Sequence, residues 1–134
     1  MKNDVILNKI SVIERCVKRV REEYDDNPEN LQNITKQDSI ILNLQRACEA
    51  SIDLAMHIVA EKKIGLPQNS LDAFTLLETA YILPSSIVQK IKFLVGFRNI
   101  AVYDFQVTNL STLQKLVEDH LIDFMEYTRS LLLY

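Results

Sequence analysis

One arginine, Arg98, stands where the surrounding pattern predicts an apolar side chain. It follows Ile87, Ile91 and Leu94 at helical spacing, so it continues their stripe along one face of a predicted fourth helix. A guanidinium rarely takes such a position without a partner. Gly96 costs about 0.5–1 kcal/mol in a helix interior relative to alanine, which predicts that another group approaches the backbone closely there. The alternative is a helix-terminal arginine that reaches solvent past a packing glycine.

A second set of polar side chains lies on the predicted second helix. Glu49 and Asp53 are four residues apart and share a face, with Arg46 within reach of both. Two interpretations remain open: a solvated face whose ion pair is worth under about 1 kcal/mol, and a polar wall beside a site between helices. No histidine or second carboxylate motif has the spacing that would complete a di-metal site, so we expect neither a metal nor another cofactor.

The two histidines are predicted to have structural roles. His120 lies seven residues after Leu113 on the apolar side of a predicted fifth helix, where a hydrogen-bonded core histidine is commoner than a catalytic one. His57 is predicted to lie at the surface of the second helix or at an interface. Basic residues are frequent on the first and fourth helices, and they support a local phosphate contact or, more commonly, a solvated face: Lys9, Arg15, Lys18, Arg19, Arg21, Lys90 and Lys92.

The elements that position these residues are helical by pattern. In the first segment apolar residues recur at steps of four and three, which predicts a helix over 4–24. A polar stretch, DDNPENLQN, interrupts this period. Thr35 with Asp38 then resembles a capping box that opens a second helix, which runs to Gly65. The apolar stripe of this second helix consists of Ile41, Leu44, Cys48, Ile52, Ala55 and Val59.

Three shorter helices complete the prediction. Ser70 is expected to cap a third helix that extends through Tyr81, and Pro84 to be the first residue of the fourth. Asn109 or Ser111 is expected to cap the fifth, whose apolar side carries Leu113, Val117, Leu121, Phe124, Thr128 and Leu131. Short links between five helices predict an all-α antiparallel bundle that forms a single domain over 1–134.

The composition limits the partners and the cellular location that can be expected for this domain. With 48% apolar residues, 25% charged residues and a net charge of −3, the chain has a sizeable core and no general attraction to nucleic acid or membrane. Cys16 and Cys48 lie in apolar helical patterns without a CxxC spacing, as core thiols of a reducing compartment do. We find neither a signal peptide nor an apolar run long enough to span a membrane, so a soluble, cytoplasmic protein is expected.

The segment GFRNIAVYDF, residues 96–105, resembles the signature of HEPN-domain proteins of the HepT toxin type. In that signature an Arg-Asn pair is followed, after three more residues, by His, any residue and Tyr. The stretches LQRACEASIDLAMHI (44–58) and GLPQNSLDAF (65–74), with the number and lengths of the helices, are also similar to this family. The resemblance covers nearly the whole chain.

The resemblance implies a homodimeric, metal-independent ribonuclease whose composite site lies at a two-fold interface. Arg98 and Asn99 match the motif, and an arginine offers phosphate a planar, permanently charged fork. The histidine position is Tyr103, which Asp104 follows as part of the supporting polar wall. A phenol with a pKa near about 10 is a poor base at neutral pH, and losing a positioned acid–base group costs about 10²- to 10⁴-fold in rate. The resemblance therefore implies an altered and impaired site.

The resemblance also implies regulation by a nucleotidyltransferase antitoxin of the MNT type, which attaches AMP to the motif tyrosine. That position is Phe105, which has no hydroxyl, so Tyr103 is the candidate acceptor; a partly buried aromatic at a helix end is its alternative role. Two functions remain open. One is the RNA-cleaving toxin of a toxin–antitoxin pair, and the other is a catalytically silent subunit that binds a nucleotidyltransferase or RNA. A purely structural adaptor would leave the position of Arg98 unexplained.

Overall fold

Helices make up the regular structure of residues 3–98 and 110–134, which the computed structural model describes. The first four are α1 (Asp4–Tyr24), α2 (Ile34–Lys62), α3 (Ser70–Thr79) and α4 (Ser85–Val95), with a 3₁₀ turn at Pro28–Gln32. The last, α5 (110–133), joins Leu110–Lys115 to Leu121–Leu133 through the π-helical turn Leu116–His120. In these described ranges the predicted all-α fold, with five helices, is confirmed. Within the described ranges, no helix is long and apolar enough to cross a membrane.

The first helix begins and ends where the apolar period predicts. Asn3 is its N-cap, and the Asn3 side chain accepts a hydrogen bond from the Ile6 amide at 2.9 Å. After Tyr24 the backbone turns into the left-handed region at Asp25, with φ of 51°. The predicted stripe is buried along its whole length, so α1 packs one face against the rest of the bundle: Ile6, Ile10, Ile13, Val17, Val20 and Tyr24.

The predicted capping box of α2 is wrong. Asn33 is the N-cap, and its side chain accepts a hydrogen bond from the Lys36 amide at 3.0 Å. The helix therefore begins at Ile34, so Thr35 and Asp38 already lie inside it. Asparagine caps as well as serine or threonine does, and here it stands two residues earlier along the chain than Thr35.

The predicted end of α2 at Gly65 is also wrong. The helix ends at Lys62, and Lys63 adopts the left-handed conformation with φ of 54°. Gly65 lies in the following link with φ of 153°, a backbone conformation that favours glycine. A Cβ at this position would lie 2.8 Å from a terminal carbon of Leu76. Gly65 therefore allows the link to pass close over α3.

The third helix starts after a different cap from the one predicted. Asn69, rather than Ser70, is the N-cap, and its side chain accepts from the Asp72 amide at 3.0 Å. The Asp72 carboxylate accepts in return from the Gln68 amide at 2.9 Å. Ser70 is the first helical residue, so its hydroxyl is available for a contact outside α3.

The link between α3 and α4 is longer than predicted. The third helix ends at Thr79, and Tyr81 lies beyond it with φ of 60° and a side chain that is 91% exposed. Pro84 is the N-cap of α4 rather than its first residue. Proline lacks an N–H, so it suits either position at the start of a helix.

The buried side chains of all five helices form one hydrophobic cluster, and Tyr127 is among its largest fully buried members. The Tyr127 hydroxyl donates to the backbone oxygen of Ser51 at 2.8 Å, and its ring meets that of Phe74 edge-on at 5.8 Å. These contacts join α5 to α2 and α3.

The predicted stripe of α5 is buried. Ser111 lies inside the helix and does not cap it, while Asn109 lies outside the described residues.

Candidate functional site

Arg98 lies three residues after the end of α4 and contacts both α3 and α2. Its Nη1 donates a hydrogen bond to Ser70 Oγ at 3.1 Å and lies 3.8 Å from Glu49 Oε2. The side chain is 29% exposed. The prediction that this guanidinium has partners is confirmed. Its place on an apolar helix face is not, because α4 ends at Val95.

Gly96 follows α4 directly and is not inside the helix. A Cβ at this position would meet the backbone oxygens of Phe93 at 3.2 Å and Lys92 at 3.8 Å, both in its own preceding turn. Among the described residues of the chain, the contacts of this Cβ come only from the preceding turn, and the predicted close approach of another group stays a prediction. The glycine lets the chain leave α4 without crowding its last carbonyls.

The three stretches that carry the family resemblance meet at the Arg98 guanidinium. Glu49 comes from the stretch 44–58, Ser70 from the stretch 65–74, and Arg98 from the stretch 96–105. They are distant in sequence and belong to three different parts of the bundle. Their convergence identifies the end of α4 as the candidate site.

Ser70 is the site residue that the sequence prediction misses, because the pattern assigns its side chain to capping α3. Asn69 does the capping, which leaves the Ser70 hydroxyl to accept from Arg98. A signal for this was present in the sequence. Asn69 and Asp72 have the spacing of a capping box, which makes Ser70 the first helical residue.

The predicted polar wall on α2 divides into two contacts. Glu49, 59% exposed, lies beside Arg98, whereas Asp53 pairs with Lys9 of α1 at 3.5 Å. Within the described residues neither carboxylate forms an ion pair with Arg46, whose side chain is exposed. The predicted reach of Arg46 to both carboxylates is therefore wrong. Exposed pairs of this kind are worth about 1 kcal/mol at most.

Beneath Glu49, the thiol of Cys48 packs as a core group. Its Sγ donates to the backbone oxygen of Leu94 at 3.2 Å. Burial raises the pKa of the Cys48 thiol to about 12, the Glu49 carboxylate raises this pKa as well, and Arg98 opposes the rise. The thiol therefore stays protonated at neutral pH, and this excludes Cys48 as a nucleophile.

The remaining motif residues, Asn99, Tyr103, Asp104 and Phe105, lie outside the described residues. In the part of the chain that is described, no cluster of three or more potential ligands could hold a metal ion. Arg98 is therefore the motif residue whose surroundings the structure defines.

The two histidines occupy different surroundings. His120 Nδ1 lies 3.1 Å from Asp123 Oδ2, which confirms the predicted hydrogen bond, but a third of the imidazole is exposed. It lies at the rim of the core rather than inside it. His57 lies on the surface of α2 and pairs with Glu61 at 3.0 Å.

The geometry around Arg98 suits the binding of an anion. Both contacts use Nη1, and within the described residues Nε and Nη2 make no hydrogen bond. A guanidinium has five N–H donors in a fixed plane, so one edge can be anchored by Ser70 while the other binds two oxygens of a phosphate. Lys92 adds a second cation on the same side of α4, where its Nζ contacts Thr75 Oγ1 at 2.5 Å.

Comparison with known proteins gives consistent matches. The family described as "Ribonuclease HepT-like" matches residues 10–131. The chain is 46% identical to an mRNA nuclease HepT of Shewanella oneidensis over 125 residues, which cover 93% of this chain and 94% of that protein. It resembles a toxin–antitoxin crystal structure with AMP-PNP at a TM-score of 0.90 and 44% identity, covering 98% of this chain and 100% of that one. It also resembles the structure of a tri-AMPylated Shewanella oneidensis HEPN toxin in complex with MNT antitoxin. The TM-score is 0.90 and the identity 44%, and the match covers 99% of this chain and 100% of that one.

Proposed function

Because this chain belongs to the HepT-like ribonuclease family, we propose that it is the toxin component of a toxin–antitoxin pair and acts on RNA. The similar mRNA nuclease and the similar toxin in complex with an MNT antitoxin support this assignment over most of the chain. The reaction class is phosphodiester cleavage without a metal ion. The cell compartment that fits an RNA substrate and two buried, unpaired cysteines is the cytoplasm.

The observation that carries this proposal is the anchored guanidinium of Arg98. Ser70 and Glu49 hold Nη1 from two helices, so the side chain is oriented before a ligand arrives. Preorganised donors stabilise developing charge without a reorganisation cost during the reaction. Arg98, with Asn99 beside it in sequence, would hold the scissile phosphate while the ribose 2′-oxygen bonds to phosphorus and the bond from phosphorus to the 5′-oxygen of the next nucleotide breaks.

Tyr103 determines how fast this reaction proceeds. A phenol can donate a proton to the leaving oxygen or hydrogen-bond a phosphate oxygen, but it is a weak base for the 2′-hydroxyl. The expected consequence is slow cleavage, reduced by about 10²- to 10⁴-fold relative to a histidine at this position.

We further propose that the active form is a homodimer across the C-terminal end of α4. Gly96 is exposed there, and Arg98 lies at the same end with part of its guanidinium accessible. An isologous contact at this end would bring two copies of Arg98 to one substrate phosphate. The MNT-type nucleotidyltransferase would then control the toxin by binding it or by transferring AMP to Tyr103, since Phe105 has no hydroxyl.

The second candidate function is a binding subunit that holds the nucleotidyltransferase or RNA without cleaving. The observation that favours it is the absence of histidine from the motif, where Tyr103 stands instead. Both candidates use the same fold and the same Arg98 contacts. They differ in whether the bound phosphodiester is cut.

One experiment separates these two functions. Purified protein is incubated with labelled cellular RNA beside a Tyr103→His variant, with and without chelator. The toxin assignment predicts a gain in cleavage of about 10²- to 10⁴-fold in the variant, unaffected by chelator. Adding Arg98→Ala should abolish the gain. A Tyr103→His protein that is folded and dimeric but inert would favour the binding subunit.

A further inference from the structure

A pocket lined by polar and aromatic side chains lies between α4 and α5, away from the α3 side of α4 that Arg98 contacts. It is an open depression of about 250 Å³, and it is lined by Gln89, Lys90, Phe93, His120 and Asp123. It shares no lining residue with the contacts of Arg98, which lie on the α3 side. Neither the motif nor the proposed reaction uses any of these five residues.

The imidazole of His120 is held in a defined orientation in this pocket. Asp123 is a carboxylate with only 7% of its side chain exposed, and its Oδ2 lies 3.1 Å from His120 Nδ1. Because a carboxylate accepts, Nδ1 is assigned the hydrogen, and within the described residues Nε2 has no hydrogen-bond partner. His120 ends the π-helical turn 116–120, and such turns often occur at functional sites.

An aromatic ring and an ammonium group complete the pocket. Phe93 is 51% exposed although it is a large apolar residue, and its ring centroid lies 5.2 Å from that of His120. Lys90 is about half exposed, and its Nζ pairs with Glu126 Oε2 at 3.2 Å. The depression thus offers a flat ring for stacking, an ammonium group that can donate to phosphate, an imidazole Nε2 that can accept from a ribose hydroxyl, and the amide of Gln89.

These groups match what proteins use to bind single-stranded RNA. Unpaired bases stack on aromatic side chains, cations contact the phosphates, and amides hydrogen-bond the base edges. We propose that this pocket is a nucleotide subsite for the RNA strand, in which a base stacks on Phe93, Lys90 contacts the adjacent phosphate, and His120 Nε2 accepts a hydrogen bond from a ribose 2′-hydroxyl. The proposal rests on the proposed function, which supplies RNA as the ligand.

The subsite is connected to the candidate cleavage site through Phe97. The Phe97 ring meets that of Phe93 edge-on at 5.3 Å, and Phe97 immediately precedes Arg98 in the chain. A strand that crosses the end of α4 would therefore place one nucleotide at Arg98 and another on Phe93. Bound in this way, the second nucleotide would orient the scissile phosphate and add a preference for the base.

Charge favours RNA over a protein partner for this surface. A protein partner would bury Lys90 and His120, which require new polar partners when they leave water. A phosphate can replace Glu126 as the partner of Lys90 and form a charge-assisted hydrogen bond. The carboxylate of Asp123 is nearly buried and its Oδ2 is occupied by the His120 imidazole, so it presents little surface to the strand.

The test is the binding of a labelled single-stranded RNA to the full chain, measured by fluorescence anisotropy. Phe93→Leu should weaken binding by about 5- to 160-fold, as the loss of one stacked base does, while Phe93→Trp should retain it. With an abasic oligonucleotide of the same length, wild type and Phe93→Leu should bind equally. Lys90→Gln should remove about one phosphate contact. The slope of the logarithm of the binding constant against the logarithm of the salt concentration should therefore become shallower by about 1.

A matched control comes from the other histidine. His57 and His120 have similar exposure, 32% and 33%, and each pairs with a carboxylate on its own helix. His120→Ala should weaken RNA binding, and His57→Ala should leave it unchanged. Light scattering on each variant reports whether the mass of the assembly has changed.

The outcomes separate the subsite from the proposed function. If wild type binds RNA and Arg98→Ala weakens it, but Phe93→Leu and His120→Ala bind like wild type, the subsite is overturned and the proposed function stands. If Phe93→Leu lowers the mass instead of RNA affinity, the pocket is an interface between copies and the subsite is again overturned. A wild-type chain that binds no RNA overturns both.

Discussion

Arg98 donates a hydrogen bond to the hydroxyl of Ser70 at 3.1 Å, although 28 residues separate them in the chain. The contact joins the residues after α4 to the first turn of α3. It fixes the orientation of the guanidinium while leaving the side chain 29% exposed. An arginine that is held and accessible at the same time is suited to binding phosphate.

Removing the Ser70 hydroxyl should weaken RNA binding without unfolding α3. Ser70→Ala deletes the acceptor for Arg98, and one hydrogen bond is worth about 0.5–1.5 kcal/mol, so affinity should fall about 2- to 13-fold. Ser70→Thr keeps a hydroxyl and should bind like wild type. Anisotropy with labelled RNA and circular dichroism check both effects. A lower melting temperature with unchanged affinity would make the contact purely structural.

We expect a homodimer, because the proposed site needs Arg98 from two copies at one phosphate. Light scattering should give about twice the chain mass of 15.5 kDa. An Arg98→Ala variant should keep this mass and lose RNA binding if the arginine faces substrate rather than the second copy. A clean monomer at tens of micromolar would contradict the shared site.

Tyr103 is the expected acceptor of AMP, because the motif tyrosine position is Phe105. Incubation with ATP and the cognate nucleotidyltransferase should add the mass of AMP to the peptide that contains Tyr103. Tyr103→Phe is the matched control and should stay unmodified. If Tyr103 remains unmodified while the enzyme is active on another substrate, control by binding alone would replace control by modification.

Alkaline pH should destabilise the contact between α1 and the π turn of α5. The buried Tyr24 hydroxyl donates to Glu118, and its pKa is raised from 10 to about 12 by burial, by this hydrogen bond, and by the charges of Glu118 and Asp26. Between these two pKa values the unfolded chain loses the phenolic proton before the folded one does. The contribution of Tyr24 is therefore fully present below about pH 10 and is lost as pH rises to about 12.

Urea unfolding at pH 8 and pH 11 tests this expectation. Tyr24→Phe should lose less stability between the two pH values than wild type does. Tyr81→Phe is the control, because that side chain is 91% exposed, and it should follow wild type. Equal losses in Tyr24→Phe and wild type would show that other groups account for the alkaline effect.

The helices were predictable because their signals are local. Apolar residues at steps of three and four place α1 over Asp4–Tyr24, as observed, and they place Leu113 to Leu131 on the buried face of α5. The caps were less predictable, because asparagine, serine and threonine compete for the same role within one or two residues. Asn33 rather than Thr35 caps α2, and Asn69 rather than Ser70 caps α3.

The sequence by itself determined the helical fold and the family, and it revealed Tyr103 and Phe105 at the positions of the motif histidine and tyrosine. These properties depend on residue identity and short spacing, which need no coordinates. The tertiary structure alone decided which polar groups meet across helices. It paired Glu49 with Arg98 but Asp53 with Lys9. Such pairings depend on how each helix is rotated about its axis in the bundle, and that rotation is set by the packing of the whole core.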